Sequence, residues 1–145
     1  MKQRPAVPQT MRLFLAVLLA GFAALVTADE RFWSDSKRFG NPKMDIVLAE
    51  SERLPRASVL DIEIKSVGSS VGSSFFIVCS LRDLALQRGG YRYIVKNEQL
   101  PGRPHQMLVG FLAGANDSPE KIDRRFAGQT VIDLEQFATI CDQMK

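Results

Sequence analysis

Gly68-Ser69-Ser70-Val71-Gly72 satisfies the spacing G-x-S-x-G, by which hydrolases present a nucleophilic serine on a sharp turn between a strand and a helix. Such chemistry needs a base within hydrogen-bond reach of Ser70 and a third group to orient that base. His105 is the only histidine of the chain, and the carboxylates between Ser70 and His105 are Asp83 and Glu98. Two plainer roles compete for the same loop. Its serines can cap a following helix by accepting backbone N–H bonds, and the N–H groups of Gly72, Ser73 and Ser74 at a helix N-terminus can receive a phosphate or carboxylate. The capping turn is the favoured reading, because a loop rich in serine and glycine meets so short a pattern easily. No lysine precedes Ser73, which removes a nucleotide-binding phosphate loop. A single histidine excludes paired-histidine metal motifs, and no metal or other cofactor is expected.

Cys79 and Cys141 are the only cysteines. They lack the Cys-x-x-Cys spacing of a redox or metal pair, so the expectation is one disulfide, with two buried thiols as the alternative. Both must then lie on elements that can meet. Val59–Ser66 alternates Leu60, Ile62 and Ile64 against Asp61, Glu63 and Lys65, the period of a strand with one wet face. A loop over 67–74 leads to a predicted helix from about Ser74 to Arg88, with Val78, Leu81 and Ala85 on its apolar face, Cys79 beside them, and Gly89-Gly90 as its stop. Tyr91–Lys96 and Met107–Ala113 read as two strands of an antiparallel hairpin, their long connection turning at Pro101-Gly102. A turn over 114–118, a short helix from Pro119 to about Phe126 and a brief edge strand at 130–132 follow. The chain closes in a helix opened by Asp133, whose inward face carries Leu134, Phe137, Ala138, Cys141 and Met144.

These elements predict an α+β fold: a two-layer sandwich with a small, mainly antiparallel sheet and two main helices packed on one face, which lets Cys79 and Cys141 meet. The single globular domain is expected over 58–145. Residues 29–57 are polar and mixed, interrupted by Asn41-Pro42 and Leu54-Pro55, and form a variable, partly ordered segment in which 44–52 reads equally as helix or strand.

Ahead of this lies Leu13–Val26, an unbroken apolar run behind Lys2, Arg4 and Arg12 and before the small-residue site ending at Ala28. It reads as a signal peptide cleaved after Ala28, too short to favour a membrane span, and the alternative is a retained anchor. The leader holds three of the 19 basic residues and none of the 16 acidic ones, so residues 29–145 carry 16 of each. A balanced charge argues against nucleic acid as a partner. No cysteine stands at the cleavage site for lipid attachment.

The stretch Val59–Lys96 combines a charged alternating strand, a Gly/Ser loop, the helix FFIVCSLRDLALQRG and the strand GYRYIVK. It resembles small bacterial exported domains of unknown function, many of them lipoproteins, although the lipobox cysteine is absent here. The resemblance implies a bacterial cell envelope with the periplasm as compartment, and it carries over no catalytic residue. The leading expectation is therefore a non-enzymatic binding or structural module of the envelope, its partner an envelope protein or a small anionic ligand. A small serine hydrolase using Ser70 and His105 is the alternative.

Overall fold

Alternation of apolar and polar side chains along two long neighbouring segments builds the centre of the molecule. The computed structural model describes residues 30–145. Strand β2 (Asp45–Leu54) and strand β3 (Ala57–Ser66) form one long hairpin around Pro55-Arg56, paired from Leu54↔Ala57 to Asp45↔Ser66 with register shifts between Glu50 and Glu52 and between Asp45 and Ile46. The stretch 44–52 is thus strand: Ile46, Leu48 and Glu50 point to one face while Val47 and Ala49 point to the other, a period of two that settles the open choice. A short strand β1 (Trp33–Asp35) pairs antiparallel with β2 through Trp33↔Ala49. On the other side β3 meets β5 (Gln106–Leu112), β5 meets β4 (Tyr93–Asn97), and β4 meets the two-residue strand β6 (Ile132–Asp133). The result is a six-stranded antiparallel sheet in the order β1-β2-β3-β5-β4-β6 within a mixed α/β fold.

Residues 31–57 of the segment 29–57 therefore belong to the body of the protein. They supply β1 and β2, and the compact unit runs over Arg31–Lys145 rather than starting near residue 58. Breakers misled here because Pro55 marks the tip of a hairpin and not a domain boundary. Helix α1 (Ser70–Gln87) also begins a turn earlier than expected. Ser69 is the capping residue, its hydroxyl accepting the Gly72 N–H at 3.0 Å, and the helix stops where predicted, at Gly89 and Gly90, both with positive φ.

The face of the sheet under α1 holds the larger core. Ile46, Leu48, Leu60, Ile94, Met107, Val109 and Phe111 meet Phe76, Leu81, Leu84 and Ala85 of α1, with Leu134 from a single turn of 3-10 helix over 134–137 that leads into α3 (Ala138–Gln143). The terminal helix is thus split, although its expected cap holds: Asp133 accepts the Glu135 N–H at 3.1 Å. Cys79 and Cys141 stand at disulfide distance, 2.07 Å between sulfurs, joining α1 to α3.

The opposite face is not bare. Helix α2 (Pro119–Ile122) and the turn at 124–126 lay Phe126 and Ile122 over Ala57, Val59, Val95, Leu108 and Leu112, a second apolar cluster that a single pair of helices on one face does not foresee. Gly110 makes this possible: an added Cβ there would stand 2.6 Å from the Phe126 ring. The cover reaches the first residues of β3, Ala57 and Val59, and among the described residues no helix lies over the outer face of β1, β2 and the rest of β3.

Candidate functional site

Ser70 is the first residue of α1, and its carbonyl accepts the hydroxyls of Ser73 at 3.0 Å and Ser74 at 2.8 Å. His105 stands just before β5, its carbonyl accepting the Ile62 N–H at 2.8 Å and its exposed ring lining a groove to which Ser70 does not contribute. No described interaction joins the two residues. Of the N–H groups expected to hold an anion, Gly72 donates to the Ser69 hydroxyl and Ser73 to the Ser69 carbonyl at 3.0 Å, so two of the three already belong to the cap. Ser74 lies within the first turn. The pattern G-x-S-x-G is thus a helix start, with Ser69 and not Ser70 as its working serine.

The charge chemistry that sequence reasoning missed lies in the core. Glu50 occupies an inward position of β2 with its carboxylate fully buried, and it accepts from Ser58 at 2.6 Å, from the Phe32 N–H at 3.1 Å, from Arg88 at 3.3 Å and from Arg53. Arg88 reaches in from the end of α1. It also donates to the carbonyls of Ala57, Leu54 and Pro55, and its guanidinium lies 5.1 Å from the centre of the Phe111 ring. Burial alone would raise the Glu50 carboxyl, but the hydrogen bonds from Arg53, Ser58 and Phe32 together with the Arg53 charge bring it down to about 2. Every buried side-chain polar atom among the described residues has a partner. Glu50 faces no groove, so this cluster is a clasp holding the helix end to the hairpin tip. One signal was available: a glutamate in phase with Ile46 and Leu48 demands a buried cation.

A groove of about 640 Å³ opens on the uncovered half of the outer face. Val47, Ala49, Ser51 and Val59 form its floor, and the turn Gly102–Gln106 forms a wall. The wall is set by Pro101-Gly102, where Gly102 has φ 71 and the Arg103 N–H bonds to the Leu100 carbonyl at 3.0 Å, the type II turn expected from sequence. Polar residues line the groove: Glu52, Asp61 and Glu63 supply three carboxylates against the single guanidinium of Arg103, with His105 beside them. Asp61 accepts from the Gln106 amide at 2.6 Å. Glu63 pairs with exposed Lys65 at 3.2 Å, and Lys65 is held above its ordinary range first by Glu63 and then by Asp45 and Asp35. A cation on this face stands among carboxylates. Among the described residues no group of three His, Cys, Asp or Glu side chains is placed to hold a metal ion, and no described helix is long and apolar enough to cross a membrane.

No family model matches the chain, and no curated protein or solved structure matches it.

Proposed function

We propose that this chain is an exported, non-enzymatic binding module of the bacterial cell envelope, delivered by a leader that ends at Ala28, and that it takes an extended basic polypeptide segment as partner. In this reading α1 and the C-terminal turns are the supporting layer of a sandwich, and the open half of the outer sheet face does the binding. One observation carries the assignment: the sheet face that Phe126 leaves uncovered presents a groove with an excess of carboxylates over a half-buried floor. The same charge disfavours the small anion as ligand. Export is supported by the apolar leader and by a cysteine pair at disulfide distance, which suits an oxidising compartment. The leader itself lies outside the described residues.

The test uses two fluorescent peptides, Val-Lys-Val-Lys-Val-Lys and Val-Glu-Val-Glu-Val-Glu, titrated onto the purified protein. The lysine peptide is expected to bind, to weaken as salt rises, and to weaken about fivefold when Asp61→Asn and Glu52→Gln are combined. Equal binding of both peptides, or binding indifferent to the double substitution, would refute the proposal.

A further inference from the structure

Strand β3 is longer than the neighbour that covers it. Its pairing with β2 continues through Ile46↔Ile64 and, past a register shift at Lys65, to Asp45↔Ser66, whereas its pairing with β5 ends at Asp61↔Gln106, followed by the Ile62 N–H on the His105 carbonyl. Residues 63–66 therefore have a sheet partner on one side only. In an antiparallel ladder the N–H and C=O groups of alternate residues point the same way. Since those of Ile62 face β5, those of Ile64 face the place where β5 would continue, and the loss of a partner there leaves them unpaired by the ladder. That place is a notch of about 530 Å³ lined by Ile62, Glu63, Ile64, Pro104 and His105. It shares four of those residues with the acidic groove. The side chain of Ile64 is 53% exposed beside it.

From this geometry we infer that the partner segment binds as an added β-strand along residues 63–66 of β3, extending the sheet where β5 stops. The inference rests on the basic-segment reading above and names its mode of attachment. An open strand edge offers main-chain hydrogen bonds to any extended chain, and the alternating side chains select which chain is accepted. Here the selection follows from the two faces. An incoming residue on the outer face takes the place of Lys65 beside Glu63 and meets the groove carboxylates of Glu52 and Asp61, and is matched by lysine or arginine. Its neighbours on the inner face lie beside Ile62 and Ile64 and are matched by aliphatic side chains. The partner is accordingly a segment of alternating aliphatic and basic residues. Short length and the nearby Lys65 disfavour pairing of this edge with another copy of itself.

The experiment compares the lysine peptide with two forms of it, N-methylated at the odd or at the even amides, and adds Ile64→Pro. Proline is compatible with this position because the lost N–H points into the notch and not toward β2. Strand addition predicts that one N-methylated form binds about tenfold more weakly while the other is nearly unchanged, and that Ile64→Pro, with an unaltered urea midpoint, weakens the parent peptide by a similar factor. The N-methyl comparison leaves the protein untouched and so stands even if Ile64→Pro folds poorly. Both N-methylated forms binding like the parent would overturn strand addition while leaving the groove as a binding site. Failure of every peptide to bind would overturn both.

Discussion

Acid should unfold this protein chiefly through Glu50. The folded carboxyl is held at about 2 against 4.5 for a free glutamate, which contributes about 3 kcal/mol of stability at neutral pH. Because the carboxyl is the stronger acid in the folded state, the unfolded chain takes up the proton first as pH falls. The contribution is intact above 4.5, declines between 4.5 and about 2, and is gone below. Glu50→Gln imitates the protonated state at every pH and leaves Arg88 and Arg53 facing an uncharged amide. Urea unfolding of both proteins across that range isolates the effect, since the other carboxylates that lie below their ordinary range, Asp117, Asp123 and Asp133, are common to both and cancel. The wild type should exceed the variant by about 3 kcal/mol near neutrality, and the two curves should converge as pH approaches 2. Curves that remain parallel would show that Glu50 is not the buried partner of these arginines.

Three further outcomes follow from the same geometry. Gly110→Ala places a Cβ 2.6 Å from the Phe126 ring and 3.0 Å from Val95, so thermal melting should show a loss of about 1–3 kcal/mol that adding Phe126→Leu partly restores. Replacing both Cys79 and Cys141 by alanine opens a crosslink spanning 62 residues and should lower stability in urea by about 4 kcal/mol, with no such effect from a reductant on the doubly substituted protein. N-terminal sequencing of the protein recovered from the envelope should begin at Asp29, and a sequence beginning at Met1 would replace cleavage by a retained anchor.

Periodicity was a reliable guide where one face of a strand is wet, as in Val59–Ser66, whereas the β4–β5 hairpin was read from the strand-forming residues of Tyr91–Lys96 and Met107–Ala113 and the Pro101-Gly102 turn between them. Periodicity failed at 44–52 for a physical reason: Val47 and Ala49 on the groove floor are apolar as well, so the contrast with inward Ile46 and Leu48 vanished. The helix start was misplaced because four serines compete for one cap, and only the backbone decides that Ser69 takes it. Cys79 and Cys141 were legible as a pair because two inward-facing helical positions without Cys-x-x-Cys spacing leave few other roles. The candidate site was largely hidden. Its carboxylates come from β2 and β3, its wall from a turn forty residues later, and nothing local announces that the outer face stays open beside Phe126. His105 was noticed for its rarity, yet its position beside Ile62 gives it a place in a groove and not at a serine.

The most direct measurement is a map of amide chemical shifts in the 15N-labelled protein as the Val-Lys-Val-Lys-Val-Lys peptide is added. Changes centred on Ala49, Ser51, Asp61, Glu63, Ile64 and His105 are the predicted result. Changes centred instead on the small cavity bounded by Trp33, Phe39, Asp83 and Lys145, or spread evenly over the surface, would contradict the assignment of the open sheet face as the binding surface.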